Sequence, residues 1–289
     1  MRISRLNLTR RRAGAGLLAA SLLPLGLSGA QAEVAGDWVS VPNGRVRLIA
    51  GGAAPTGDGA RYVAIEVQLA PGWKTYWRNP GEAGIPPNFD WAKTQNATPS
   101  AITVLYPAPK RIADAGGDLI GYTGGVVFPA IVTPTKASEP VALSVEVAIG
   151  ICRELCIPVE TTLTLSAPPP ARDAKVPDVI AKALELAPRP HDKRRALDPE
   201  LVEVKGTVTD AKGKLLITAR RATELFLEGP DGIFVPLPAR QATPPSGLEP
   251  VTFEVDLAQA PDIKDTLGKP IRLTFVGPGG ASEAVWTAK

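Results

Sequence analysis

The sequence predicts an all-β protein made of two antiparallel β-sandwiches, the second smaller than the first. Short runs that alternate apolar and polar residues recur along the chain, which is the pattern of half-buried strands. Clusters of Gly, Pro, Asn and Asp separate the runs, and short strands at this spacing are typical of a sandwich. A proline run at 168–170 divides the strand-rich sequence into two parts.

The first 32 residues have the pattern of an export signal. Five arginines between positions 2 and 12 precede an uncharged apolar stretch at 13–30, and Ala30-Gln31-Ala32 is typical of a cleavage site. We therefore expect export by the Sec or the twin-arginine route, with cleavage after Ala32. A retained membrane anchor is the alternative. No later segment has 18 consecutive apolar residues, so we expect the mature protein not to span a membrane.

The charge of the chain changes once this leader is set aside. The whole chain has 32 Lys and Arg against 29 Asp and Glu. The leader holds five of the arginines and no acidic residue, which leaves 27 basic and 29 acidic residues and a net charge of −2. Because the alkaline isoelectric point comes largely from the leader, nothing in the composition indicates binding to nucleic acid.

The predicted first domain, 33–166, contains a series of strand-like runs. They lie at 46–50, 61–69, 71–81, 101–106, 126–132, 142–151 and 156–165. The third run is dense in aromatic residues and ends in an Asn-Pro-Gly turn. Its Trp73, Tyr76 and Trp77, together with Trp91, either fill the sandwich core or line a ligand groove.

The rest of the chain is predicted to be a linker followed by the second domain. The linker, 167–198, is rich in Pro and charge, and the apolar spacing at 177–187 indicates one short amphipathic helix. The second domain, 199–289, has further strand-like runs at 201–208, 214–219, 225–227, 252–257, 271–276 and 284–287.

The chain has two cysteines, Cys152 and Cys156, four residues apart. In a straight strand such positions lie about 13 Å apart, whereas a disulfide needs Cα atoms about 4.4–6.8 Å apart. The alternating, β-branched flanks on both sides predict a hairpin with the three-residue loop 153–155, which would bring the two cysteines face to face. A helical turn is the alternative, but Pro158 does not favour it.

Spacing leaves two functions open for this pair. Exported disulfides are mostly structural, yet closing so short a loop contributes only about 2 kcal/mol of chain-entropy stabilisation. A redox-active dithiol is therefore the other interpretation. In the loop, Arg153 would lower the pKa of a thiol and Glu154 would raise it, unless both are simply solvated charges.

Metal and cofactor chemistry have little support in the sequence. A zinc site needs three or four ligands, but the chain offers the two cysteines and one remote histidine, His191. The single Met is the initiator, which removes thioether copper ligation from the mature protein. We predict no metal and no cofactor, and a metal chaperone remains a minor alternative.

Several motifs resemble a known family. They are Gly72-Trp-Lys-Thr-Tyr-Trp-Arg-Asn-Pro-Gly-Glu-Ala-Gly-Ile-Pro-Pro87, Phe89-Asp-Trp91, Gly121-Tyr122, Phe128-Pro129 and the cysteine pair with Ile157-Pro158. This region, about 40–165, resembles the N-terminal periplasmic domain of the thiol:disulfide interchange protein DsbD, in particular its ScsB-like branch.

The resemblance implies a periplasmic, immunoglobulin-like sandwich with Cys152 and Cys156 as the catalytic pair. It implies protein-disulfide reductase activity without a cofactor, with a thioredoxin-like protein or a membrane electron carrier as donor. The acceptors would be disulfide-containing periplasmic proteins, including those of cytochrome c maturation. Family members continue into a membrane carrier and a thioredoxin-like domain, and this sequence contains neither. We therefore expect a separate donor; loss of that pathway is the alternative.

The family also shields its disulfide with a cap. By location the resemblance assigns this role to 118–122, with Asp118, Ile120 and Tyr122 as candidates; a plain strand edge is the alternative. A binding or chaperone-like sandwich with a purely structural disulfide is the alternative function.

Overall fold

The computed structural model describes residues 34–81, 84–114, 117–171, 174–210, 212–239 and 249–289. The predicted export signal and its cleavage site lie outside the described residues. The predicted all-β fold is confirmed, because antiparallel sheets dominate the described chain. In the described part of the chain, no helix is both long enough and apolar enough to cross a bilayer.

The described residues up to Ala167 form twelve strands. They are β1 (Val34–Ala35), β2 (Val39–Val41), β3 (Gly44–Ala53), β4 (Arg61–Leu69), β5 (Lys74–Tyr76), β6 (Asn88–Asp90), β7 (Ile102–Val104), β8 (Lys110–Asp114), β9 (Gly117–Thr123), β10 (Gly125–Val132), β11 (Val141–Cys152) and β12 (Cys156–Ala167).

These strands form two sheets. Sheet A has the order β1-β3-β4-β10-β7, with β2 also paired to β3. Sheet B has the order β12-β11-β5-β9-β8, with β6 also paired to β11. Alternate residues of each strand point inward, so apolar side chains such as Ile65, Phe128, Val145 and Ile149 meet in one core.

The described residues after Ala167 form one α-helix and seven strands. They are α1 (Asp178–Leu186), β13 (Arg189–Pro190), β14 (Glu200–Lys205), β15 (Lys214–Arg220), β16 (Glu224–Glu228), β17 (Pro250–Asp256), β18 (Pro270–Gly277) and β19 (Gly280–Thr287). Sheet C has the order β13-β19-β18-β16, and sheet D has the order β14-β15-β17. Their apolar faces form a second core that includes Leu215, Phe253, Leu273 and Phe275.

The segment predicted as a linker, 167–198, packs against sheet A through α1 and against sheet C through β13. Sheets A and B form the first half of the molecule, and sheets C and D form the second half. Helix α1 lies where the sequence predicts a helix, and its buried Ile180 packs with Ile49 and Ala64 of sheet A. Strand β13, which the sequence analysis did not predict, pairs in parallel with β19. Arg189 of β13 also bonds to the fully buried carboxylate of Asp198 at 3.0 Å. The predicted linker is therefore part of the packed structure.

Candidate functional site

The two cysteines close the end of a long hairpin. Strands β11 and β12 pair in continuous register from Val141 opposite Ala167 to Cys152 opposite Cys156. The loop between them is Arg153-Glu154-Leu155, as the sequence predicts. The cysteines are joined by a disulfide, with their Cα atoms 4.1 Å apart. The backbone ladder therefore holds the two sulfurs together independently of the bond between them.

The two sulfurs differ in their access to solvent. Cys152 is 2% exposed, whereas Cys156 lies at an exposed position. The cause is the strand order, because β11 is an inner strand and β12 lies at the edge of sheet B. On its other side β11 pairs with β5, which places Lys74 opposite Cys152. An attacking group from solution thus meets Cys156 first.

Tyr76 contacts the disulfide directly. It is 5% exposed and packs in a small apolar cluster with Cys152, Leu119 and, at its edge, Ile112. Its hydroxyl lies 3.0 Å from Sγ of Cys156. A disulfide sulfur carries no hydrogen, so the tyrosine hydroxyl is the donor. The buried side of the disulfide is thus apolar, with one hydrogen-bond donor directed at the exposed sulfur.

A glycine in β11 leaves room for this tyrosine. A Cβ at Gly150 would lie 3.1 Å from Cδ2 of Tyr76 and 2.9 Å from Cβ of Ile85. Thr75 fixes the same strand pair, because its hydroxyl donates to the Gly150 carbonyl at 2.8 Å. The close approach of β5 to β11 therefore depends on the missing side chain at position 150.

Two of the three predicted cap residues are buried in the first core. Ile120 and Tyr122 point into the sandwich core, where Tyr122 lies 5.7 Å from the Phe128 ring and donates to the Pro107 carbonyl at 2.7 Å. Burial raises the pKa of Tyr122 well above its usual value. Since side chains alternate along β9, Leu119 is the residue that faces Cys152.

The charged candidates lie at the protein surface. Asp118 is partly exposed, with its carboxylate 3.8 Å from the Arg111 guanidinium. In the hairpin loop, Arg153 and Glu154 are exposed and lie 3.8 Å from each other. Between them and Cys156, Leu155 is 80% exposed. The exposed sulfur is thus bordered by two solvated charges and one projecting apolar side chain.

The aromatic motif contributes to three environments. Trp77 and Trp91 are buried in the first core and Trp73 packs against it, as the core-filling interpretation predicts. Tyr76 instead faces the disulfide. The next polar residues, Arg78 and Asn79, reach the second half of the chain. Alternation along 73–78 places Tyr76 on the opposite face from the neighbouring tryptophans, but this signal does not show that its face meets the disulfide.

Arg78 and Asn79 form polar contacts with sheet C. The Arg78 guanidinium bonds to Glu228 at 2.6 Å and to Glu283 at 2.5 Å. Burial opposes its charge, but the two carboxylates outweigh that effect and raise the pKa of Arg78. The Asn79 amide donates to the Leu227 carbonyl at 2.8 Å. Sequence reasoning did not predict these contacts, because their partners lie 148 to 205 residues away.

The residues at this site offer no ligand set for a metal. Among the described residues, no group of three or more His, Cys, Asp and Glu side chains could hold a metal ion. The chemistry available at the hairpin is that of a dithiol and its disulfide. One sulfur is accessible and one is sheltered, an arrangement that suits attack at one thiol and resolution by the other.

The fold and the site together describe an all-β sandwich that carries a disulfide at an exposed hairpin tip. Residues 46–168 match the family model described as "Thiol:disulfide interchange protein DsbD, N-terminal". The predicted resemblance is confirmed over this part of the chain, which matches the DsbD N-terminal domain. No curated protein sequence matches the chain.

A solved structure resembles nearly the whole chain. It is the N-terminal periplasmic domain of ScsB from Proteus mirabilis, which matches with a TM-score of 0.64 at 24% sequence identity. The match covers 89% of this chain and 99% of that one, so the fold includes the second β region. A yeast GGA1 GAE domain also matches, at 10% identity over 45% of this chain and 96% of that one, but its TM-score of 0.24 supports no inference.

Proposed function

We propose that this protein relays electrons through Cys152 and Cys156 by thiol–disulfide exchange. The donor is a thioredoxin-like protein or a membrane electron carrier, and the acceptors are disulfide-containing proteins of the periplasm. The family match over 46–168 supports the type of chemistry. The predicted export signal and the periplasmic origin of the ScsB domain support the periplasmic location. Proteins of cytochrome c maturation are among the proposed acceptors.

The observation that carries this proposal is the position of the disulfide. It joins two residues that the β11–β12 ladder already holds in register. A loop this short yields only about 2 kcal/mol of entropic stabilisation, against about 4.7 kcal/mol for a loop of 100 residues. A bond that adds little stability but exposes one sulfur is better suited to exchange than to cross-linking.

The exposure of the sulfurs supports an order for the exchange. A donor thiolate attacks Sγ of Cys156, the Cys152–Cys156 bond breaks, and Cys152 leaves as a thiolate that takes up a proton. The second thiol of the donor then attacks the donor sulfur that is bonded to Cys156. The mixed disulfide breaks, Cys156 is released as a thiolate, and two electrons have entered the pair. In the onward step Cys156 attacks an acceptor disulfide, and Cys152 resolves the mixed disulfide.

A mixed-disulfide trap and a reduction potential test the proposal. With Cys152→Ser, the exposed Cys156 thiol should attack the disulfide of an oxidised thioredoxin-like protein and hold that protein as a mixed disulfide, because no Cys152 thiol is left to resolve it. Cys156→Ser is the matched control and should capture far less, because Cys152 is buried. The potential should lie above about −300 mV, the range of exchange proteins. A lower potential with no capture would instead support a binding module with a structural disulfide.

A further inference from the structure

The second half of the chain reaches the disulfide through one short segment. Tyr76, which donates to Cys156, ends β5, and Arg78 follows two residues later. Arg78 holds both Glu228 of β16 and Glu283 of β19, each within 2.6 Å. These strands belong to sheet C, whereas β5 belongs to sheet B. The segment that presents Tyr76 is therefore fixed at one end by the other half of the molecule.

Two further contacts join this segment to β16, and one contact lies within the segment. The Trp77 ring lies 5.8 Å from the Phe226 ring of β16. The Arg78 guanidinium also lies over the Trp77 ring, 4.7 Å from its centroid. The Asn79 amide bonds to the Leu227 carbonyl. Strand β5 has only three residues and pairs with β11 and β9. The contacts with sheet C add to these pairs and fix the chain just after Tyr76.

We propose that the second half of the chain positions the Tyr76 hydroxyl against Cys156, with Arg78 as the positioning residue. This inference rests on the proposed exchange function, since it concerns the reactivity of the same sulfur. When the pair is reduced, a hydroxyl that donates to the Cys156 thiolate favours the charged form and lowers the pKa of the thiol. Sheet C would thus set the fraction of Cys156 that is nucleophilic near neutral pH.

Other charged groups lie on the elements around Cys156 and would also act on its pKa. They are Lys74 on β5, Arg111 on β8, Asp118 on β9, Arg153 and Glu154 in the loop, and Glu160 on β12. All of them stay unchanged in the variants below, so they form a constant background. A difference between variants in the pKa of Cys156 then reports the Tyr76 hydroxyl and the contacts that position it.

The test is the pH profile of Cys156 alkylation by iodoacetamide. Every variant carries Cys152→Ser, which leaves Cys156 as the one thiol of the chain. Tyr76→Phe should raise the pKa of Cys156 by about one unit, the effect of losing one hydrogen bond to a charged group. Because nucleophilicity rises with pKa, the rate at pH 7 should fall only about threefold.

Arg78→Met should reproduce that shift, and Arg78→Lys should restore part of the parental profile. Adding Arg78→Met to Tyr76→Phe should produce no further change, since both act through one hydroxyl. Arg272→Met is the matched control. Arg272 pairs with the same two carboxylates, Glu283 at 2.6 Å and Glu228 at 4.0 Å, but it belongs to sheet C itself. This control should keep the parental profile.

Two results would overturn the proposal. One is a folded Arg78→Met protein with the parental profile while Tyr76→Phe shifts it; the other is a Tyr76→Phe profile that does not move. If Arg78→Met fails to fold, Glu283→Gln removes one carboxylate and should give a smaller shift in the same direction. An unchanged profile there counts equally against the proposal. Alkylation needs no partner protein, so this result is independent of whether the trap captures a donor.

Discussion

At the scale of single residues, Gly150 determines how closely the aromatic motif approaches the disulfide. The Tyr76 ring and the Ile85 side chain both lie against its backbone. Any Cβ there would be closer to them than ordinary van der Waals contact allows. A tyrosine displaced by such a Cβ would also lose its contact with Sγ of Cys156.

Gly150→Ala should therefore destabilise the protein by about 1–3 kcal/mol, the usual effect of overpacking a buried site. Urea unfolding measures this free energy. Gly36→Ala is the matched control, because a Cβ at Gly36 would meet its neighbours at 3.5–3.8 Å, which is ordinary contact. The control should be as stable as the parent or slightly more stable. Equal stability of the two variants would show that Tyr76 and Ile85 move aside freely.

At the scale of elements, the β11–β12 hairpin is held by its ladder and by its inner face. Val145, Val147, Ile149 and Ile151 of β11 are all buried in the first core. Each buried aliphatic side chain contributes about 1.5–3 kcal/mol. This burial exceeds what the disulfide adds, so the hairpin does not depend on the bond that closes it.

Loss of the disulfide should lower the free energy of unfolding by no more than about 2 kcal/mol. The measurement compares guanidinium unfolding of the oxidised protein with that of the double variant Cys152→Ser and Cys156→Ser. Circular dichroism of the variant should remain that of the folded protein. Unfolding of the variant at room temperature would mean that the bond is structural, against the exchange function.

At the scale of the whole molecule, the two halves share a core. Phe226 of β16 is fully buried and belongs to the first core, although its own strand lies in sheet C. Leu237 and Val276 pack against the same core from the second half. Arg111 of β8 adds a polar contact, donating to the Pro238 carbonyl at 2.9 Å. Burial at this junction couples the stability of the halves.

Phe226→Ala should destabilise both halves together, by about 3–5 kcal/mol, the usual cost of truncating a buried phenylalanine. Tryptophan fluorescence, near-ultraviolet and far-ultraviolet circular dichroism should report one coincident transition shifted to lower denaturant. Val285→Ala, at a position that is 62% exposed, should change stability by less than about 0.5 kcal/mol. Separate transitions for the two halves in the parent protein would contradict this coupling.

The sequence predicted the features that depend on local patterns. Alternation predicted the strands, the β-branched flanks of the cysteines predicted the hairpin and its three-residue loop, and the motifs predicted the family. It assigned the cap to Asp118, Ile120 and Tyr122. The last two side chains face the core, and the cap itself stays a prediction. Alternation separates two faces of a strand without showing which face meets the disulfide. The domain boundaries at 166 and 198 remain predictions.

By itself, the sequence determined that a closable dithiol lies at the end of a hairpin in an all-β chain, because strand period and turn chemistry are local properties. Only the tertiary structure decided which sulfur is accessible, that Tyr76 and Leu119 lie against the pair, and that Arg78 bonds to Glu228 and Glu283. These features depend on strand order and on contacts between residues up to about 200 positions apart. Local periodicity carries no information about such contacts, since it does not specify which strands become neighbours.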